Sequence, residues 1–195
     1  MENRNVMELL EGRRSYRRFD EQKDIPDEVV EKMQCAARLA SSAMNRQTLK
    51  YIYVRDRRTV NEIFEVTGWG GALPDGLGRP REGERPTMFV IVLAVKELKT
   101  RFTDFDAGLA VSNITLAAWE CGVGSCILGS VRVNELLNIV DVPSECEVVT
   151  AVGFGYPTHE SKVVDAESDK LAYYLDENKN YLVPKRKIED TVIMM

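Results

Sequence analysis

The feature that most constrains the fold is an uninterrupted apolar run, MFVIVLAV, at Met88–Val95. A strand that keeps one face in water alternates apolar and polar residues, whereas this run offers no polar face. We therefore predict a central strand of a sheet that is covered on both faces. The run is also far shorter than the ~20 apolar residues that a membrane-spanning helix needs, so we expect no membrane association.

Helical and strand-like patterns follow one another irregularly along the rest of the chain. Helices are predicted at residues 6–11, 26–40, 57–66, 104–121 and 133–140, strands at residues 49–54 and 146–157, and a short strand or turn at residues 124–131. This order lacks the regular βα alternation of a doubly wound sheet, which makes α+β the predicted fold class. We expect a single domain over residues 1–195, with an extended C-terminal arm over residues 160–195.

The charge balance and the cysteines exclude several classes of protein. The 195 residues carry a formal net charge of −5, which argues against a nucleic-acid-binding domain, since such domains show a basic face. The four cysteines form no C-x-x-C pair and only His159 could join them, so neither a zinc site nor a disulfide framework is expected. Buried free thiols in a cytoplasmic protein are the simpler interpretation. We expect His159 to be a surface residue in a polar turn rather than a proton donor.

Two basic clusters stand out because the common catalytic motifs, G-x-G-x-x-G, the P-loop, G-x-S-x-G and H-E-x-x-H, are absent. The clusters are RRSYRR at residues 13–18 and KRK at residues 185–187. Guanidinium groups and a hydroxyl suit a phosphate, and Arg13, Ser15 and Arg17 would share one side of an extended segment. Alternatively, arginines after a helix interact with its C-terminal dipole and remain in solvent. Charge alone leaves both interpretations open.

A third polar group, SSAMNRQ, follows the helix predicted at residues 26–40. It contains Ser41, Ser42, Asn45 and Gln47. Short side chains that both donate and accept hydrogen bonds suit the edge of a planar heterocycle. Ser and Asn also favour helix ends and turns, so a purely structural role is the alternative.

Two other segments differ in composition from their surroundings. The helix predicted at residues 104–121 is crowded with Ala, Gly and Ser, which let another backbone approach closely, so we expect it to be deeply buried, against a partner subunit. Residues 68–86 form a loop rich in Gly and Pro, with Trp69 and Leu73 as apolar anchors. A loop of this length in a compact domain is usually functional or mobile.

Taken together, these segments resemble the FMN-dependent nitroreductase family over nearly the whole chain. RRSYRRF is similar to the family's R-R-S-x-R-x-F, and SSAMNRQTLKYIYV to its P-S-x-x-N-x-Q-P-W block before a strand. The family's central D-x-G-x-A-x-x-N helix and the loop after it are similar to DAGLAVSNITLAAWECGVGSCILGSV. The family's G-x-P motif, in the turn that follows a strand, is similar to AVGFGYP. The resemblance implies a mostly antiparallel central sheet flanked by helices, in an intertwined homodimer.

The resemblance also implies which residues hold FMN. The phosphate and ribityl chain would be held by Arg13, Arg14, Ser15 and Arg17, with Lys185 and Arg186 closing from the far end of the chain and Lys187 as an alternative to Lys185. The second subunit would meet the flavin through Ser41, Ser42, Asn45 and Gln47. The isoalloxazine would lie along Ile127, Leu128 and Gly129, with the amide of Leu128 or Gly129 near N5.

By the same resemblance, the chain passes hydride from NAD(P)H through flavin N5 to an electron-poor acceptor, such as a nitroaromatic or a quinone, in a ping-pong sequence. Trp69 and Leu73 would cover the substrate, with an ordinary surface loop as the alternative. Other readings are flavin reduction or reductive dehalogenation on the same fold, a flavin-binding module without turnover, and anion- or RNA-contacting arginines on an unrelated domain. The tyrosines Tyr173, Tyr174 and Tyr181 are expected to pack the C-terminal arm rather than contact substrate.

Overall fold

The computed structural model describes residues 5–195 as a set of short helices around two sheets. The helices are α1 (Val6–Gly12), α2 (Asp27–Arg38), α3 (Arg57–Glu65), α4 (Thr103–Glu120) and α5 (Val133–Leu136). The strands are β1 (Leu49–Val54), β2 (Met88–Val95), β3 (Gly124–Leu128), β4 (Cys146–Gly155), β5 (Ser161–Asp165), β6 (Tyr174–Leu175) and β7 (Tyr181–Lys185). A capping box stabilises the start of α1: the Asn5 side chain accepts a hydrogen bond from the Glu8 amide, and the Glu8 carboxylate accepts one from the Asn5 amide.

Strand β2 lies inside a four-stranded antiparallel sheet of order β1–β2–β4–β3. It pairs with β1 on one side and β4 on the other, and each residue from Met88 to Ala94 is at most 1% exposed. This confirms the prediction of a central strand that is covered on both faces. A second, smaller sheet in the C-terminal arm has the order β5–β7–β6, with β5 parallel and β6 antiparallel to β7.

Successive residues of β2 point to opposite faces of the sheet and so enter separate cores. Phe89, Ile91 and Leu93 pack in one core with residues of α3. Met88, Val90 and Val92 pack in the other core with residues of α2 and α4. Helices therefore flank an antiparallel sheet, and the α+β fold class is confirmed.

Helix α4 buries one face and exposes the other. Its buried residues include Ala107, Ala110, Ile114 and Ala118, so the small residues do let α2 pack closely against it. Phe105 is 70% exposed and Leu109 is 49% exposed on the opposite face. The helix is thus half in the core and leaves an apolar face uncovered within one chain.

The loop at residues 68–86 begins in the core, which corrects the expectation that Trp69 covers a substrate. Trp69 is 8% exposed, and its ring centroid lies 5.6–6.5 Å from those of Phe19, Phe64 and Phe89. Its indole N–H donates to the Thr67 hydroxyl (3.0 Å). The aromatic ring is therefore a core residue and is not available as a cover.

The rest of this loop is held by backbone contact and by an arginine. A Cβ on Gly70, whose φ is +63°, would lie 2.2 Å from the Gly78 Cα, so only glycine permits this approach. The Arg79 guanidinium donates to the carbonyl oxygens of Thr67 and Phe64. Leu73 is half-buried on the outer part of the loop, and its substrate-side role stays a prediction.

We predict that Trp69→Ala destabilises the fold. Removing a buried Trp leaves a cavity between three phenylalanines, and such changes lower the free energy of unfolding by about 3–5 kcal/mol. Chemical denaturation measures this loss. Leu77→Ala is the control, since Leu77 is 56% exposed in the same loop and its loss should stay within about 0.5 kcal/mol. Unchanged stability in Trp69→Ala would contradict the core assignment.

Candidate functional site

The basic segment, residues 13–18, is extended and lies along the edge strand of the main sheet. Helix α1 ends at Gly12, and the Tyr16 amide then donates to the Ser125 carbonyl on β3 (2.8 Å). Ser15 and Ser125 form an isolated parallel bridge. The extended conformation that the sequence analysis required for Arg13, Ser15 and Arg17 to share a side is therefore present.

Two aromatic residues anchor this segment in the core. Tyr16 is 5% exposed and stacks on Trp119 with ring centroids 5.0 Å apart, and Phe19 is completely buried. Gly12 has no room for a side chain, because a Cβ there would lie 2.5 Å from the Trp119 indole nitrogen. Tyr16, between the arginines, and Phe19, directly after them, thus anchor the backbone of the basic segment to the core.

The predicted phosphate-binding residues converge on one cleft. This first cleft has a volume of about 430 Å³ and is lined by Leu10, Arg13, Arg14, Ser15, Arg17, Tyr173, Val183 and Lys185. Four of these residues are cationic and none is acidic. Burial and the neighbouring Arg13 charge lower the pKa of Arg14, as expected where like charges are brought together.

Arg17 is the most buried of these cations. It is 8% exposed, and its guanidinium carbon lies 4.2 Å from the Tyr173 ring centroid and 4.9 Å from that of Tyr181. Its Nε has no hydrogen-bond partner, and none of the carboxylates whose positions the structure describes forms an ion pair with it. Burying a charge without a counter-ion is costly, so the arrangement favours an anionic ligand in this cleft.

The second basic cluster contributes one residue to the cleft. Lys185, the last residue of β7, lines it, whereas the Arg186 guanidinium pairs with Asp169 (3.2 Å). Lys187 is exposed and precedes a short turn at Ile188–Asp190. The structure therefore brings Lys185 to the basic segment and does not bring Arg186 there.

The polar segment at residues 41–47 lines a different cleft. Ser41, Ser42 and Gln47 line this second cleft, which has a volume of about 220 Å³. The Gln47 amide donates to the Ser42 hydroxyl (3.1 Å). Three non-glycine residues here, Met44, Asn45 and Gln47, have φ values of 53°, 53° and 49°. Strained backbone of this kind is concentrated at functional sites.

Asp106 holds this segment in place, and sequence reasoning missed it. Its Oδ1 accepts from the Ala43 amide (2.9 Å), its Oδ2 has no hydrogen-bond partner, and the residue is 3% exposed. Asp106 is the first residue of DAGLAVSN, the stretch that resembles the family's D-x-G-x-A-x-x-N helix, and this motif is the signal in the sequence that points to it. Its role is to connect α4 to the strained turn.

The two clefts have no lining residue in common. Within the described chain, Ser41, Ser42 and Gln47 are therefore not brought to Arg13, Ser15 and Arg17. Asn45, also predicted to meet the flavin, is exposed in the turn of the second cleft.

The third predicted segment lies on β3, next to the basic segment. Ile127 is 46% exposed, Leu128 is 3% exposed, and Gly129 follows at the surface. A Cβ on Gly129 would meet no atom within 4 Å. This end of the strand is therefore open to a ligand lying against the sheet edge.

His159 is half-buried against aromatic rings, which corrects the expectation of a residue at the surface of a polar turn. Its ring packs on Tyr16 and Tyr181 with centroid distances of 5.5 and 4.9 Å, and both ring nitrogens are buried. Burial, reinforced by the Arg18 charge, lowers the pKa of His159 to about 4. The imidazole is thus a neutral packing residue near neutral pH.

We predict that His159 makes the fold sensitive to mild acid. The unfolded chain binds the proton near the ordinary pKa of 6.5, whereas the folded chain binds it only near pH 4. Stability is therefore complete above about pH 6.5 and falls as the pH drops towards about 4, by about 1.4 kcal/mol per pH unit. Urea denaturation at about pH 7.5 and about pH 5 measures the loss. The His159→Phe variant has no imidazole to protonate, so its free energy of unfolding should fall less between these two pH values. An equal fall in the variant and the wild type would contradict the assignment of this pH dependence to His159.

The cysteines and the acidic residues form no metal site in the part of the chain that the structure describes. The thiols are free: Cys126 and Cys146 are buried as expected, whereas Cys121 is half-buried and Cys35 is exposed. Burial raises the pKa of the Cys126 thiol to about 11, although the Arg17 charge opposes the shift. None of the helices in residues 5–195 has the length and apolarity needed to cross a bilayer.

Comparison with known proteins gives one consistent result. A model of the Nitroreductase family matches residues 10–72 and 81–156. A protein of Archaeoglobus fulgidus provisionally named NADH dehydrogenase/NAD(P)H nitroreductase is 31% identical over 168 residues, which cover 83% of this chain and 90% of that protein. The FMN reductase [NAD(P)H] of Bacillus subtilis is 23% identical over 80% of this chain and 67% of its own length.

A solved structure of similar fold is the nitroreductase with bound FMN from Desulfitobacterium hafniense. It superposes with a TM-score of 0.66 at 20% identity, over 88% of this chain and all of that one. The family match includes the basic segment, the second cleft and β3, and it ends before the C-terminal arm. On this evidence the chain belongs to the nitroreductase family.

Proposed function

We propose that the chain is an FMN-dependent oxidoreductase that passes hydride from NAD(P)H to an electron-poor acceptor, such as a nitroaromatic or a quinone. The observation that carries the proposal is Arg17, a buried cation without a counter-ion, in a cleft lined by three further cations. Its setting in a nitroreductase-family fold supports FMN as the missing anion, since related proteins are named for FMN or hold it.

The residues of the first cleft fit the phosphate end of FMN. Arg13, Arg14 and Lys185 would donate to the phosphate oxygens, with the Ser15 hydroxyl as an additional donor. The absence of any acidic residue from the lining leaves their charge uncompensated. Arg17, which lies deeper, would face the part of the cofactor nearest the sheet.

The chain supplies position and charge rather than an acid, base or nucleophile. Bound FMN would accept and donate the hydride, which explains why no histidine or cysteine is needed at the site. The open end of β3 would place the backbone of Leu128 and Gly129 near flavin N5. Amide and guanidinium groups there would stabilise the negative charge that develops on reduction.

A homodimer would complete the site. The second cleft, with Ser41, Ser42 and Gln47, would meet the flavin from the partner subunit, since one chain keeps the two clefts apart. The exposed apolar face of α4, with Phe105 and Leu109, supports such an interface.

The proposal predicts that the FMN-loaded protein is reduced by NADH or NADPH. Under anaerobic conditions, either nucleotide should bleach the flavin absorption band, and a nitroaromatic or a quinone should restore it. Arg17→Glu should bind FMN roughly a hundredfold more weakly, because losing one charge-assisted hydrogen bond costs about 1.5–3 kcal/mol and the new carboxylate adds repulsion.

Arg18→Glu is the matched control for this experiment. Arg18 is the next residue but lines a different cleft and donates to the Lys179 carbonyl. Its replacement should leave FMN bound. Failure of the wild-type protein to bind FMN, or to be reduced once loaded, would overturn the proposed function.

Subunit mixing tests whether the site is composite. Arg17→Glu damages the first cleft and Ser42→Tyr fills the second, so each pure dimer would have two damaged sites. A mixed dimer, purified through two different affinity tags, would hold both changes in one site and leave the other intact. We expect the mixed dimer to bind FMN to about half of the wild-type content. A mixed dimer without FMN, or a monomer that retains it in gel filtration, would contradict the composite site.

A further inference from the structure

The guanidinium of Arg17 is held by two aromatic rings that come from the C-terminal arm. Tyr181 is 2% exposed and forms the inner contact, whereas Tyr173 is half-buried and lines the first cleft. The two tyrosine rings lie 5.9 Å apart. Tyr173 and Arg17 therefore line the first cleft side by side, with the Tyr173 ring against the Arg17 guanidinium.

Tyr173 is itself fixed by contacts from separate parts of the chain. Its hydroxyl accepts from the Ala72 amide (3.2 Å) in the loop at residues 68–86. It directly precedes β6, which pairs with β7 at Tyr181. The ring position thus depends on a loop, on a small sheet and on the stacked arginine together.

The rings hold Arg17 without neutralising it. A carboxylate partner would fix the guanidinium equally well, but it would also cancel the charge that an anionic ligand needs. An aromatic face attracts a cation through its quadrupole and leaves its net charge unchanged. Stacking is also compatible with the planar guanidinium donating hydrogen bonds at its edge.

We propose that Tyr173 is a positioning residue that orients Arg17 towards the anionic cofactor. This inference rests on the proposed function, in which that cofactor is FMN. It concerns a residue of the arm, which lies beyond the stretch that the family model matches. The affinity for FMN should therefore depend on a side chain that need not contact the cofactor.

The test compares FMN dissociation constants, measured by quenching of flavin fluorescence, in three variants. Tyr173→Leu removes the stacked ring and should weaken binding about tenfold, the effect expected of a desolvated cation–π contact. Tyr173→Phe keeps the ring and should stay within about twofold of wild type. Tyr174→Leu is the control, because Tyr174 is 47% exposed and lines a different cavity.

A double-mutant cycle with Arg17→Met distinguishes positioning from a general structural role. If Tyr173 acts through Arg17, Tyr173→Leu should cause no further loss of FMN affinity in the Arg17→Met background. Thermal melting without FMN shows whether each variant is folded. An equal loss in both backgrounds, or unchanged affinity in a folded Tyr173→Leu, would overturn this inference alone. A wild-type protein that binds no FMN would overturn the proposed function as well.

Discussion

Because β2 is buried on both faces, the chain has to cover its sheet from above and from below. Helices α2 and α4 cover one face with regular helical packing. The other face is covered by α3 together with irregular segments that supply Trp69, Tyr16 and Phe19. Tyr16 and Phe19 belong both to this second core and to the chain around the basic segment. Packing of this core therefore also sets the position of the basic segment.

Within a few residues of the basic segment, some side chains anchor the backbone in the core and others line the first cleft. Tyr16 and Phe19 point into the core, whereas Arg13, Ser15 and Arg17 line the first cleft. Polar groups carried on an anchored, extended backbone lose little conformational freedom when a ligand arrives. Burial and, after it, the neighbouring Arg13 charge lower the pKa of Arg14, and an anion bound in the cleft would oppose both effects.

The sequence was sufficient for features that depend on local pattern. The uninterrupted apolar run identified β2, and the local concentration of arginines identified the basic segment that lines the first cleft. Features that depend on contacts between distant segments were not predictable in this way. The composition of a Gly- and Pro-rich loop does not reveal that Trp69 inserts between phenylalanines, and a polar turn does not reveal that His159 packs on Tyr16.

The candidate site likewise contains residues that the local sequence pattern predicts and contacts between distant segments that it does not predict. Its basic residues were found from charge and spacing, and Lys185 was assigned to it through the family resemblance. The contact between Asp106 and Ala43 joins residues 63 positions apart. The stacking of Tyr173 on Arg17 likewise joins opposite ends of the chain. Neither leaves a periodic signal, because each depends on how the sheets bring the segments together.

The bridge between Ser15 and Ser125 has a consequence for solubility. Strand β3 is an edge of the main sheet, and an open edge is a template for pairing with other chains. The basic segment covers part of that edge and adds positive charge beside it, which are two means by which proteins prevent edge-to-edge aggregation. The segment proposed to bind the cofactor thus also covers part of an edge that could otherwise pair with a strand of another chain, so substitutions that displace its backbone should promote aggregation through β3 as well as weaken binding.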